Sequence, residues 1–344
     1  SDLEKEIADV WANILEVEKI GVSDSFFDMG GDSLSAIRAT SRLCEMNHSH
    51  TLSDLYQNPT IRQLSEKILC QATQVDSLTG MKEAPSILVR LSSGSAPASS
   101  NIICFPYGGG NAFSFYSFSA SFAKKSHKYN VYGVNLPGHD LDGGDLLRTE
   151  EISRSVFSEI LECIPGEIIL YGHCVGNAPL LETARLLEEE GRHVKALFFG
   201  GIFPPEYAQI YGRHFDPWML HSDRRIIRYL HEIGMPKETL LNDYAHNMLR
   251  SFRHDARSYY RYFHANTEKF AKRLQIPAYS IVGENDTVTS HFRRKYKKWS
   301  RFVDNIDLHV IEDADHYFLR SHADELSDYI YSTLEEIMPK REEE

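Results

Sequence analysis

Near Ser86 the spacing of the apolar residues changes, and that change divides the chain into two kinds of structure. Beyond it, seven short apolar runs (SILVRL, NIICF, VYGVN, EIILYG, ALFFGG, AYSIVG and IDLHVI) are bounded by glycine, proline or polar residues. Helical stretches such as Pro179 to Glu190 separate many of them. Runs of this kind read as buried parallel strands, and their alternation with helices predicts a doubly wound sheet. Ahead of Ser86 only helical spacing is found. Leu3, Ile7, Val10, Trp11 and Ile14 repeat on one face, as do Ile61, Leu64 and Ile68 after Pro59. A loop with Gly21, Gly30 and Gly31 lies between them, then a helix from about Ser33 to Cys44. This pattern predicts a small all-α bundle. The expected division is a helical domain over 1–72, a polar linker over 73–85 and an α/β domain over 86–340, with a surface loop over the serine-rich stretch 92–100. A helical insertion at about 204–272 breaks the alternation and carries Tyr207, Trp218, Tyr229, Tyr259, Tyr260 and Phe263. A long insertion of that kind is a candidate lid.

Charge and cysteine usage narrow the function. A formal net charge of -12 and the acidic tail from Arg341 to Glu344 exclude nucleic-acid binding as the main activity, since that needs a basic footprint. No apolar run approaches bilayer length and no leader sequence is visible at the N-terminus, so no membrane association is expected. The five cysteines (Cys44, Cys70, Cys104, Cys163 and Cys174) show no paired spacing, which suggests neither a disulfide framework nor a metal site. A reducing cytoplasm is the expected location.

The string FFDMGGDS, followed by Leu34, places Ser33 where a glycine-bearing loop turns into a helix. Taken alone, a serine there is an N-cap. The complete string, within a helical segment of this length, resembles the peptidyl carrier motif of nonribosomal peptide synthetases. The resemblance implies that Ser33 carries covalent 4′-phosphopantetheine, with Phe27, Gly30, Gly31, Asp32 and Leu34 filling the surrounding motif positions. It implies as partners a phosphopantetheinyl transferase, an acyl or peptidyl substrate, and upstream condensation and adenylation domains.

A second constellation lies in EIILYGHCVGNAPLL, where Cys174 sits between a predicted strand and a predicted helix, flanked by Gly172 and Gly176. That is the context of a nucleophile elbow, with cysteine where serine is usual. A lone cysteine is ordinarily an inert small hydrophobe, and Cys44, Cys70, Cys104 and Cys163 are read as packing residues. Chain order then requires an acid followed by a histidine. Asp286 follows AYSIVG and His316 follows IDLHVIEDAD, which predicts a triad of Cys174, Asp286 and His316, with Glu284, Asp313 and Asp315 as competing acids. His173 is expected to be a supporting core residue. FPYGGGNAF follows NIICF, and the expected oxyanion donors are the amides of Gly108 and Val175, with Tyr107 as the alternative to Gly108.

FPYGGG, NLPGH (Asn135 to His139), GHCVG, GENDTV and ADHYF together resemble the thioesterase domains of nonribosomal peptide and polyketide synthetases. Two departures stand out. ALFFGG ends in Gly200 and Gly201 with no acid after it, which favours Asp286, and Asp315 precedes His316 where glycine is frequent. The implied architecture is a carrier bundle followed by an α/β-hydrolase domain with a lid. The implied activity is chain-terminating release of an acyl or peptidyl chain by hydrolysis, cyclisation or aminolysis. The alternatives are a carrier and transfer module whose hydrolase half is inactive or non-hydrolytic and, last, a general cytoplasmic esterase.

Overall fold

The computed structural model describes residues 1–337 apart from 32, 47, 49, 51, 75–85, 92–99, 140–143, 206–221, 237–239, 241–244 and 266–269. Tyr207, Trp218, the acidic tail and most of the expected linker therefore lie outside the described residues. The chain divides into two compact units, Ser1–Pro85 and Ser86–Glu344.

In the first unit, α1 (Asp2–Leu15), α2 (Ser33–Glu45), α3 (Leu52–Gln57) and α4 (Ile61–Gln74) form the bundle that apolar spacing predicts, α4 reaching two residues beyond the expected boundary. Ile7, Trp11, Leu43, Leu55, Ile61 and Leu64 are fully buried. Phe26 joins this core from the glycine loop, edge-on to Trp11 with ring centroids 4.8 Å apart. Gly31 folds back so that its N–H donates to the Phe26 carbonyl at 2.9 Å. A Cβ at Gly31 would lie 2.3 Å from the Phe26 ring and 2.5 Å from that carbonyl oxygen. The loop reaches Ser33, the first residue of α2, only because that position has no side chain. Gly31→Ala is expected to destabilise this unit by about 1–3 kcal/mol, as overpacking does. Urea unfolding followed on Trp11 fluorescence measures it, and a change below about 0.5 kcal/mol would mean that Phe26 yields freely.

In the second unit, the seven predicted strands appear as β1 (Leu88–Arg90), β2 (Ser100–Phe105), β3 (Tyr129–Val134), β4 (Glu167–His173), β5 (Val194–Gly200), β6 (Ala278–Gly283) and β7 (Asp307–Ile311). They form one sheet in the order β1-β3-β2-β4-β5-β6-β7. The pairing is parallel throughout except for β1, which pairs antiparallel with β3 at the edge. Ser100 belongs to β2 and is buried, so the stretch expected as a surface loop does not extend to it.

Successive side chains alternate between two cores, as a strand period of two demands. Ile103, Phe105, Leu170, Leu197 and Phe199 face α6 (Thr149–Cys163) and α7 (Asn177–Glu189), represented by Val156, Leu180 and Leu187. Ile102, Cys104, Tyr171, Phe198 and Ile281 face α5 (Tyr116–Lys125) and α10 (Ala323–Ile337), represented by Phe122 and Ile330. Covering both faces explains why these strands read as continuous apolar runs. The connection from β2 runs toward one sheet edge and that from β4 toward the other, so their carboxyl ends flank the crevice where open α/β sheets hold their ligands.

Candidate active site

Cys174 follows β4 directly and has φ 53, left-handed backbone that is rare for a side chain of this kind. Such a conformation costs about 1–3 kcal/mol, so its surroundings must impose it. They do so by close approach. A Cβ at Gly176 would lie 2.4 Å from the Phe105 carbonyl oxygen, and one at Gly172 would lie 2.5 Å from Asn177 Oδ1. Asn177 in turn donates to the Gly200 carbonyl at 3.0 Å, fastening the elbow to β5. The Cys174 side chain is half-buried, at the junction of a strand, a short turn over 174–176 and α7.

His316 and Asp286 come from the loops after the neighbouring strands β7 and β6. His316 Nδ1 donates to Asp286 Oδ2 at 3.0 Å. Asp286 is itself held by the Val288 amide on Oδ1 at 2.8 Å and the Thr289 hydroxyl on Oδ2 at 2.9 Å. Cys174 lies close enough to His316 to act on the charge of its ring. Burial disfavours charge on His316, but the neighbouring Cys174 and Asp286 outweigh it and raise its pKa to about 10. The three residues singled out by chain order are thus brought together. Glu284 accepts instead from the Asp313 amide at 3.3 Å, and Asp315 Oδ1 from the Tyr317 amide at 3.1 Å, so both serve local turns. Where an acid would follow β5, a Cβ at Gly201 would already lie 3.3 Å from His316 Cε1.

His173 is fully buried, accepts from the Tyr171 hydroxyl at 3.0 Å and donates through Nε2 to the His316 carbonyl at 2.8 Å. Burial, with His316 nearby, holds it well below the ordinary histidine range, so it supports the His316 backbone as a neutral ring.

The loop after β2 forms a turn in which the Gly110 amide donates to the Tyr107 carbonyl at 2.8 Å, with Gly109 at φ +76. The Gly109 amide donates to Asp255 at 2.9 Å. Gly108 lies beside the elbow, where a Cβ would be 3.5 Å from Val175 Cγ2. The amides of Tyr107 and Gly108 are the two in this turn not engaged in those bonds.

Two helices of the insertion are described, α8 (Asp223–Glu232) and α9 (Ala245–Ala265). Ile226, Leu230, Leu249 and Phe252 from these helices pack with Tyr317, Tyr107 and Val288 of the site loops. Burial raises the Tyr229 hydroxyl pKa, and Cys174, Tyr260 and Asp286 act on it in the same direction, placing this aromatic at the site. Sequence reasoning gave no role to Tyr317, whose ring lies 5.0 Å from that of Tyr107, nor to Asp255. For Asp255 a signal was present: it shares the buried stripe of α9 with Phe252, Ala256 and Tyr259, an uncommon place for a carboxylate. The reading of the other cysteines as packing residues is corrected. Cys104 is buried, but Cys44, Cys70 and Cys163 are exposed on helix surfaces.

Comparison with known proteins bears on the family of each unit and on the fold. Residues 100–335 match the thioesterase domain family and residues 5–68 the phosphopantetheine attachment site family. Bacitracin synthase 2 of Bacillus licheniformis is 38% identical over 68 residues, 20% of this chain and 3% of that protein. Indigoidine synthase of Streptomyces lavendulae is 29% identical over 222 residues, 62% of this chain and 16% of that protein. The chain therefore spans a small part of the curated relatives it matches. Among solved structures, the type II thioesterase BorB from the borrelidin biosynthetic cluster aligns with TM-score 0.60 at 21% identity, covering 74% of this chain and 100% of BorB. A holo four-domain nonribosomal peptide synthetase bound to AMP and glycine aligns with TM-score 0.51 at 20% identity, covering 96% of this chain and 26% of that one. With an elbow after β4 in a seven-stranded sheet, and a helical unit preceding it in sequence that matches the phosphopantetheine attachment site family, the chain belongs to the thioesterase domain family, in the carrier-plus-thioesterase arrangement of nonribosomal peptide synthetases.

Proposed function

We propose that this chain performs terminal release in a nonribosomal peptide synthetase, with Cys174 as nucleophile, His316 as acid and base, and Asp286 as the group that orients His316. The observation that carries the reading is the Asp286–His316 hydrogen bond set beside Cys174, which sits at an elbow with φ 53. Ser33, opening α2 after the tight turn at Gly31, is the proposed attachment point, and a helix N-terminus suits a phosphodiester. The segment 73–85 is proposed as the tether. When bound, 4′-phosphopantetheine supplies a flexible thiol arm that holds the acyl chain as a thioester.

In the proposed reaction His316 takes the Cys174 thiol proton as Sγ attacks the acyl carbonyl, forming a new C–S bond. The amides of Gly108 and Val175 receive the negative charge that develops on oxygen. As the tetrahedral species collapses the original C–S bond breaks, and His316 gives its proton to the departing sulfur. Asp286, bonded to Nδ1, stabilises the protonated ring until that transfer. His316 then takes a proton from water, an amine or a hydroxyl of the chain as that group attacks the Cys174 thioester, and returns it to Cys174 Sγ as the C–S bond breaks and the product leaves. The lid aromatics are proposed to line the acyl path. Upstream condensation and adenylation domains and a phosphopantetheinyl transferase are the proposed partners. Among the described residues no helix is long and apolar enough to cross a membrane, and a cytoplasmic location is proposed.

Cysteine keeps the chain activated, because transfer from one thiol to another exchanges thioester for thioester, whereas serine would trap it as a less reactive oxygen ester. Cys174→Ser is therefore expected to acylate but to deacylate about tenfold more slowly or to shift product toward hydrolysis. Intact-protein mass spectrometry with an acyl-loaded carrier, followed by product identification, checks this. Absence of any acyl adduct at Cys174 in the unsubstituted protein would favour the inactive-module reading, and an unchanged rate and product ratio in Cys174→Ser would remove any special role for sulfur.

A further inference from the structure

We infer that Asp255, on the lid helix α9, is a positioning residue for oxyanion stabilisation, acting through the turn Tyr107–Gly110; this rests on the proposed Cys174 chemistry. Asp255 is buried with its carboxylate pointed at the turn after β2 and at the loop after β3. Oδ2 accepts the Gly109 amide at 2.9 Å and His139 Nε2 at 2.8 Å, while Oδ1 faces His254 Nδ1 at 3.3 Å. Burial alone would raise this carboxyl, but His139, His254 and the Gly109 amide bring it down to about 2, so it is ionised. A buried carboxylate is expensive unless fully paired, and here the pairings are with the turn after β2, the loop after β3 and its own helix.

What the carboxylate decides is the direction of one peptide. In a turn closed from Gly110 to Tyr107, glycines at both central positions let the Gly108–Gly109 peptide rotate, and the preceding Tyr107–Gly108 peptide, which carries the proposed donor N–H of Gly108, tilts with it about their shared Cα. Asp255 accepts the Gly109 N–H and would repel the Gly108 carbonyl, so it holds a single orientation. The same helix face presses the turn into place. A Cβ at Gly108 would lie 3.1 Å from the Phe252 ring, and one at Gly109 would lie 3.0 Å from the Met248 carbonyl oxygen. Further bonds fasten α9 to the body of the domain. Ser251 donates to the Gly138 carbonyl at 3.3 Å, the Thr149 amide donates to Ser258 at 2.9 Å, and the Tyr259 hydroxyl donates to the Phe203 carbonyl at 2.9 Å. In this structure α9 is thus a pinned wall whose carboxylate reaches through to the oxyanion turn.

The test separates oxyanion chemistry from the state of the nucleophile. Acylation of Cys174 by an acyl-N-acetylcysteamine thioester passes through a tetrahedral oxyanion, whereas its alkylation by iodoacetamide displaces iodide and forms none. Both rates are measured on the full chain by peptide mass mapping at Cys174, because Cys44, Cys70 and Cys163 are also exposed. Asp255→Asn retains an oxygen that accepts from Gly109 but loses the charge, and is expected to slow acylation about three- to tenfold; Asp255→Ala is expected to slow it about thirtyfold or more. Alkylation should stay within about twofold in both. Acylation within about twofold of the parent in Asp255→Asn, or a parallel fall of alkylation and acylation, would overturn the inference, and the Asn variant decides if Asp255→Ala does not fold. A parent chain alkylated but never acylated at Cys174 would overturn the Cys174 reading and this inference with it.

Discussion

Cys174→Ala is expected to abolish acyl transfer, with turnover falling by at least about 10⁴ and no covalent adduct formed. Cys174 is the side chain at the elbow beside the Asp286–His316 pair, so on the proposed reading the covalent route is lost rather than weakened. His316→Ala should approach the same loss, because the departing sulfur would lack its proton donor and the second nucleophile its base. Asp286→Asn is expected to be milder, by about 10²–10⁴, since the amide spoils the charge and tautomer preference of His316 while leaving a similar shape. Chemical denaturation should find all three variants folded. Pre-steady-state acylation and multiple-turnover release, measured separately, check the ordering. Full activity in Asp286→Asn, with loss in Glu284→Gln or Asp315→Asn, would move the acid away from Asp286.

The other large effect is expected at Ser33. Ser33→Ala should remove all loading by a phosphopantetheinyl transferase, and with it any release that depends on a carrier-bound chain. It should leave the helical unit folded, because a serine hydroxyl at a helix start contributes at most about 1–2 kcal/mol. The thioesterase unit of the same chain should still accept an acyl-N-acetylcysteamine thioester supplied in solution, since its Cys174, His316 and Asp286 all lie within 86–344. Intact mass before and after the transferase reaction reads the first outcome, and acylation at Cys174 reads the second. Loading of Ser33→Ala would place the attachment point elsewhere.

Much of this protein was legible before its structure. The seven strands could be read because both sheet faces are covered, which turns each strand into an apolar run between breakers. The elbow was legible for a local reason: Gly172 and Gly176 are required within two residues of Cys174 by contacts that a Cβ would violate. The start of α2 at Ser33 was legible because the loop before it, with Gly31 folded on Phe26, is likewise a local device.

Other features had no local trace. Chain order left four acids in play, and the choice of Asp286 rests on β6 and β7 being neighbours, so that the loops after them meet and Oδ2 reaches a histidine 30 positions away. Period alone could not distinguish the buried Cys104, inside a covered strand, from Cys44, Cys70 and Cys163 on helix surfaces. Nor could it pair Asp255 with Gly109 across 146 positions, or with His139 across 116. Sequence by itself determined the elements, their faces and the turns that only glycine permits, because steric exclusion and apolar burial act over a few residues. Tertiary structure decided which polar groups meet, because a buried charge is stable only where the folded chain brings a partner to it.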